Sequence, residues 1–156
     1  MTSSQDKFHI RKAALKDAET IIQFNINMAL ETEDKQLIPD VISKGVKAVL
    51  HNPQLGFYVV AERNDQVAGS LMVTFEWSDW RNGYFWWIQS VYVSQDFRRQ
   101  GVYKMMYEFV RTLAMENTDV CGFRLYVEKE NRVAQKTYEA LGMEKTRYFL
   151  YEAPAK

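Results

Sequence analysis

A mixed α/β fold, built on one mostly antiparallel sheet with helices on both faces, is the architecture this sequence predicts. Two amphipathic segments precede three consecutive extended runs joined by short polar connections, the mark of antiparallel neighbours. A further amphipathic segment separates the last of those runs from another extended one, and a connection containing a full helix is what a parallel pair requires. At 156 residues, 47% of them hydrophobic, the chain can bury one sizeable core but is short for two ordinary domains, so a single domain over 1–156 is expected.

Taken in order, Phe8-His9-Ile10-Arg11 alternates apolar and polar residues and reads as a short first strand. Asp17 and Glu19 suit the first turn of a helix, where carboxylates meet the positive end of the macrodipole. Ala18, Ile21, Ile22, Met28 and Ala29 form its apolar face as far as about Leu30. The acidic stretch Glu31-Thr32-Glu33-Asp34-Lys35 follows, and after Pro39 a second helix is predicted from Asp40 to about Leu50, ended by Asn52-Pro53. From Gly56 the pattern becomes extended. Phe57 to Ala61 and Val67 to Trp77 are apolar runs separated by Arg63-Asn64-Asp65-Gln66, a hairpin. Ser78 to Gly83 leads into a central strand, Tyr84 to Val93. Val102 to Met115 places Val102, Met105, Met106, Phe109, Val110 and Leu113 on a 3.6-residue period. Gly122 to Val127 then reads as a strand parallel to the central one, Val133 to Leu141 as another amphipathic helix, and Met143 to Tyr151 as a last strand.

Composition narrows the function. The chain carries 20 basic and 20 acidic side chains, so it lacks the broad cationic surface of a nucleic-acid binder. No stretch approaches the roughly 20 apolar residues that span a bilayer. Cys121 is the only cysteine; no internal disulfide or thiolate metal site can form, a reducing cytoplasm is the simplest home, and the expected role of Cys121 is a small buried thiol. The segment Met1 to Lys7 is polar and lacks the apolar core of a secretory signal. His9 and His51 lie far apart and near no carboxylate pattern, and no metal is expected.

The stretch from Trp86 to Gly101 and on into the helix reads as strand, basic turn, helix. A helix start leaves its first backbone N–H groups without partners and carries partial positive charge, so a glycine there lets a phosphate approach the backbone closely. Arg98, Arg99 and Lys104 add full positive charges. Val91-Tyr92-Val93 followed by Arg98-Arg99-Gln100-Gly101-Val102-Tyr103 resembles the signature of the GNAT superfamily of N-acetyltransferases. That pattern is a Leu-x-Val strand, then Arg or Gln, two residues, Gly, one residue, and Gly or Ala. Tyr103 departs from it, standing where the family has a small residue. The order of elements is also that of the GNAT fold, so the resemblance covers essentially the whole chain. It implies a central pair of parallel strands that splay apart, with the pantetheine arm of coenzyme A in the gap and Val91 to Val93 and Arg98 to Lys104 along the cofactor.

A second segment supports the resemblance: Leu125-Tyr126-Val127, then Asn131, Ala134, Tyr138 and Gly142. Asn is a favoured N-cap, so Asn131 reads as the cap of the helix that follows; the resemblance adds contact with the cofactor, and the two roles can coexist. Tyr138 shares a helix face with Ala134, Thr137 and Leu141 and reads as a core aromatic. By resemblance it donates a proton to the departing coenzyme A thiolate.

Acetyl transfer from a thioester demands a neutral amine. A lysine-like amine with a pKa of about 10.4 carries a handicap of roughly 4.6 kcal/mol at pH 7. The thiolate, with a thiol pKa of about 8.5, needs less help. Many family members carry Glu or Asp where this chain has Gln89 and Ser90. The resemblance places the end of the Glu76 strand near the acceptor cleft, so Glu76 ranks first as base, ahead of Asp79, Glu31 and Glu33, and it assigns oxyanion stabilisation to the Val91 N–H. These acids, interleaved with Trp77, Trp80, Trp86 and Trp87, suit a cationic amine acceptor, though the tryptophans equally suit packing of the hairpin. The expected activity is acetyl-CoA-dependent N-acetylation of a small-molecule or protein amine by direct attack. The rivals are a non-catalytic acyl-CoA sensor, favoured by Gln89, Ser90 and Tyr103 and opposed by Tyr138, and an interaction domain that has lost the cofactor. Tyr148, Phe149 and Tyr151 are compatible with a homodimer.

Overall fold

The computed structural model describes residues 7–156, so the polar segment read before Lys7 lies outside the described residues. The described chain falls into two compact units, one running through Leu125 and a smaller one over Tyr126–Lys156. The larger unit holds β1 (His9–Lys12), α1 (Ala18–Glu33), α2 (Pro39–His51), β2 (Gly56–Arg63), β3 (Gln66–Ser78), β4 (Gly83–Val93), α3 (Val102–Met115) and β5 (Val120–Arg124). The smaller unit holds α4 (Arg132–Ala140). Among the described residues no helix is long and apolar enough to cross a membrane.

The sheet has the order β1-β2-β3-β4-β5. The first three pairings are antiparallel and β4 pairs β5 in parallel, as the helical crossover requires. Asn64 and Asp65 take positive φ between the paired Arg63 and Gln66, the two-residue turn whose twist matches a hairpin. Side chains alternate between faces. Tyr58 and Val60 of β2 pack with Ile21 and Ile22 of α1 and Val46 of α2. The opposite parity, Val59, Ala61, Leu71, Val73 and Ile88, is also buried. That is the α3 face: a Cβ added at Gly69 would lie 3.3 Å from the Val102 side chain. Both faces are therefore dry, which explains why β2 and β3 read as nearly continuous apolar runs rather than as strict alternation.

Three expectations are corrected. Residues 143–151 form no strand. Aromatic content makes a segment fit for a sheet, but a strand exists only where a neighbour supplies the ladder, and among the described residues none does so here. The strand expected over Gly122 to Val127 runs instead over Val120–Arg124. Cys121 is exposed rather than buried, because it lies on β5, the terminal strand of the order.

One polar cluster pins the edge of the sheet to α1. Arg11 on β1 donates to Asp17 through Nη1 at 2.7 Å and Nη2 at 2.9 Å, and through Nε to Glu62 of β2 at 3.1 Å. The Ala14 N–H adds a bond to Asp17 at 2.8 Å. Burial works to raise the Asp17 pKa, but the Arg11 and Ala14 hydrogen bonds and the Arg11 charge outweigh it and hold the carboxyl below its ordinary 3.8. A depressed folded-state pKa contributes stability that is complete above the unfolded value and lost as pH falls through the folded one. Asp17→Asn should therefore cost about 2–4 kcal/mol at pH 7, because it leaves a mostly buried guanidinium short of a partner. In urea titrations its deficit against wild type should shrink as pH drops below 3.8; a deficit that persists undiminished at lower pH would sink this account.

Candidate functional site

The site is built on a flaw in β4. Ser70 faces Tyr92 and Met72 faces Gln89, so Leu71 alone opposes both Ser90 and Val91. This is a β-bulge, and it needs Ser90 at φ 52°. Gln89 braces the strand just before it, donating through Nε2 to Thr74 Oγ1 at 2.5 Å. On its other flank β4 pairs with β5 only from Tyr84 to Trp87, the last pair being Trp87 with Arg124. Residues 88–93 of β4 have no ladder partner on that side among the described residues, so the parallel pair ends three residues before the bulge.

The chain beyond β4 is anchored at each step. The Ser94 N–H bonds Ala68 O at 2.8 Å, and a short 3₁₀ turn over Gln95–Phe97 buries Phe97 edge-on against Phe8. The Arg63 guanidinium lies over both rings and donates to Gln100 Oε1 at 3.1 Å. The turn itself uses two positive-φ residues, Arg99 at 62° and Gly101 at 75°. Gly101 stands at the N-cap of α3, where no side chain caps the first N–H groups, and a Cβ added to it would meet nothing within 4 Å. A row of backbone N–H groups at a helix start, open to approach and flanked by the exposed Arg99 and Lys104, can receive a phosphate. Val102 is buried beneath the turn, and Tyr103 stacks its ring on Tyr107 along α3.

Arg98, read as a further cation for the phosphate, is otherwise engaged. Its Nε donates to Val93 O at 2.8 Å and its Nη2 to Glu31 Oε2 at 2.8 Å, while the Tyr92 hydroxyl donates to Glu31 Oε1 at 3.1 Å. Burial, with the Glu31 carboxylate, pushes the Tyr92 pKa up. The sequence carries no local sign of this link, since 67 residues separate its ends.

The structure brings Val91, Tyr92, Val93 and Arg98 to Lys104 into one strand–turn–helix unit. Glu76 is elsewhere. The hairpin register sets it opposite Phe85, six residues before Val91 and so about 20 Å away along β4. Its carboxylate accepts from Arg124 Nη1 at 2.6 Å, and that guanidinium lies 3.6 Å over the Phe85 ring. Trp86 is buried among Phe57, Phe75 and Phe123, Trp77 packs on Tyr84, and Trp80 is 92% exposed. An open cleft of about 550 Å³ runs beside Arg11, Asp17, Glu62 and Ser94, and no sequence candidate lines it. Among the described residues no group of three or more His, Cys, Asp or Glu could hold a metal.

In the smaller unit, Asn131 is the N-cap of α4, its Oδ1 accepting from the Ala134 N–H at 3.1 Å. Gly142, at φ 89°, ends the same helix, and the Met143 N–H reaches back to Tyr138 O at 3.1 Å. Tyr138 is half-buried on α4, and burial pushes its pKa above the ordinary 10.

Comparison with known proteins agrees with this architecture. The acetyltransferase (GNAT) family profile matches residues 21–143. The crystal structure of a possible acetyltransferase from Clostridium difficile 630 is 45% identical, covering 96% of this chain and 98% of that one with a TM-score of 0.89. Two more distant structures share the fold. A predicted acetyltransferase from Clostridium acetobutylicum, solved with acetyl-CoA, is 18% identical over 94% of this chain and 96% of that one, TM-score 0.78. An aminoglycoside N-acetyltransferase in complex with CoA is 16% identical over 96% of each chain, TM-score 0.76. Among curated proteins nothing matches.

The bulge makes a stability prediction. Because Ser90 holds a left-handed φ, Ser90→Val should cost about 1–2 kcal/mol and Ser90→Gly should be close to neutral. Equilibrium urea unfolding of both variants checks this, and equal losses in the two would mean that the backbone conformation is not the cause.

Proposed function

The chain belongs to the acetyltransferase (GNAT) family, and on that premise we propose that it transfers the acetyl group of acetyl-CoA to a primary amine by direct attack on the thioester. The observation that carries this reading is the turn from Arg98 to Lys104: positive-φ backbone at Arg99 and Gly101, uncapped N–H groups of α3, and open space where a Cβ would stand. Those groups would hold the pyrophosphate, and Arg99 and Lys104 supply the attraction. The flank of β4 beyond Trp87, free of a β5 partner, would receive the pantetheine arm, with the Val91 N–H stabilising the oxyanion as the amine attacks. Asn131 is assigned to the cofactor as well as to its capping bond.

Acetyl-CoA supplies an activated carbonyl and a thiolate leaving group. Tyr138 is the proposed acid for that thiolate. Burial pushes its pKa above the ordinary 10, so the hydroxyl carries its proton at neutral pH. Gln89 and Ser90 cannot act as bases, and Glu76 is tied to Arg124 far from Val91. The reading therefore assigns no side-chain base: the amine gives its proton to solvent and attacks in its minor neutral form. The acceptor is a small-molecule or protein amine, and nothing in the charge balance suits nucleic acid. The lone, exposed Cys121 fits a reducing cytoplasm. The exposed Tyr148, Phe149 and Tyr151 are the surface proposed for a homodimer, which concentration-dependent sedimentation would reveal.

Acetyl-CoA should raise the unfolding temperature of the wild type and leave Gly101→Glu unshifted, since a ligand that binds only the folded state stabilises it in proportion to log concentration. No wild-type shift at millimolar acetyl-CoA would sink the reading. With a reactive amine found by thiol release, kcat/KM should rise about tenfold per pH unit below the amine pKa. Glu76→Gln should stay within about threefold of wild type, whereas Tyr138→Phe should lose about 10- to 100-fold in kcat with little change in KM. A profile that levels off near a carboxylate or imidazole pKa would instead demand an enzyme base.

A further inference from the structure

Glu31 stands in the last turn of α1, just before the helix ends at Asp34 with φ 50°. Its two carboxylate oxygens are divided between two points of the functional strand and turn. Oε1 accepts from the Tyr92 hydroxyl on β4 at 3.1 Å, and Oε2 accepts from Arg98 Nη2, at the first position of the turn, at 2.8 Å. Arg98 closes the loop by donating from Nε to Val93 O at 2.8 Å, and its guanidinium sits 5.5 Å from the Tyr92 ring centroid. Phe24, two helical turns earlier on α1, packs against the same Tyr92 ring at 5.0 Å. The backbone from Tyr92 to Arg98 is thus gripped at both ends by one side chain. That link also compensates the Arg98 charge, whereas Arg99 and Lys104 enter no ion pair among the described residues.

We propose that Glu31 is a positioning residue for acetyl-CoA binding: by holding Arg98 and Tyr92 it fixes the chain's entry into the turn whose N–H groups receive the pyrophosphate. The inference rests on the acetyl-CoA reading above. It divides the work of the turn in two. Arg99 and Lys104 attract the anion, and Glu31 with Arg98 sets the geometry, even though Glu31 itself bears the charge that an anion would avoid.

The test is calorimetric titration of acetyl-CoA into wild type, Glu31→Ala, Glu31→Gln and Arg99→Ala at low and high salt. Glu31→Ala should weaken binding by roughly three- to tenfold, the range for a partly exposed, hydrogen-bonded pair. That loss should persist at high salt, while the Arg99→Ala loss should shrink as the free charge is screened. Glu31→Gln, which keeps a hydrogen-bond acceptor and loses the charge, should stay within about twofold of wild type. Unchanged or tighter binding by Glu31→Ala would overturn the proposal, because Glu31 would then be idle or a competitor for Arg98. If the alanine variant fails to fold, Glu31→Met, which keeps the side chain's length and removes both acceptor oxygens, takes its place: weakened binding supports positioning, and unchanged or tighter binding overturns it. A wild type that binds no acetyl-CoA overturns the functional reading and this inference together, whereas a wild type that binds while the Glu31 variants bind tighter overturns this inference alone.

Discussion

β4 has two neighbours and satisfies them differently. It pairs with β3 along its length but with β5 only as far as Trp87, and the bulge at Ser90 and Val91 follows the change. The parallel ladder stops at Trp87, where β5 ends at Arg124; three residues on, the extra residue of the bulge bends and twists β4, and the antiparallel ladder resumes at Tyr92 and Val93. Everything assigned to function depends on that break. It leaves the flank of residues 88–93 without a ladder partner, and it directs the strand's end towards the turn that opens α3.

The turn is anchored from outside itself. Phe97 is buried, Arg63 reaches from the β2–β3 hairpin to both Phe97 and Gln100, and Glu31 reaches from α1 to Tyr92 and Arg98. The exposed ion pairs among these contacts are individually weak; their worth lies in converging on one short segment. Left-handed backbone at Arg99 carries a conformational cost, which such anchoring offsets. The cost has a use, since alternating backbone conformations aim successive N–H groups towards one side. At the other edge of the sheet the Arg11, Asp17 and Glu62 cluster ties β1 and β2 to the start of α1. Both ends of α1 are thus fastened to the sheet by charge-assisted hydrogen bonds, and Ile21 and Ile22 supply the apolar contact between them.

Charge accounts for most of the difference between expectation and outcome at the site. Arg98 reads as a cation for phosphate from its charge and its place in the turn, and Glu76 as a base for the amine from the place the resemblance gives its strand. Each has an opposite charge from a distant element upon it, Glu31 in one case and Arg124 in the other. Residue type reports what a side chain can do, and only its neighbours decide whether that capacity is free. The register of the β3–β4 hairpin adds a second reason for Glu76: a strand position is fixed by pairing, and pairing with Phe85 puts it far from the bulge.

The sequence by itself determined the order and kind of the elements from β1 to α4. Period 3.6 marked α3, an apolar face marked α1, Pro39 and Asn52-Pro53 bounded α2, the Arg63-Asn64-Asp65-Gln66 connection marked the first hairpin, the helical crossover dictated a parallel partner for β4, and Gly101 marked a helix start open to approach. These are local properties, set by residues a few positions apart. Asn131 as the cap of α4 was legible for the same reason. Only the tertiary structure decided the bulge at Ser90, the engagement of Arg98 by Glu31, the distance of Glu76 from Val91, the exposure of Cys121 and the absence of a ladder over residues 143–151. Each of these depends on which distant backbone or side chain arrives beside a residue, and that information is in the packing of the whole chain rather than in any window of it.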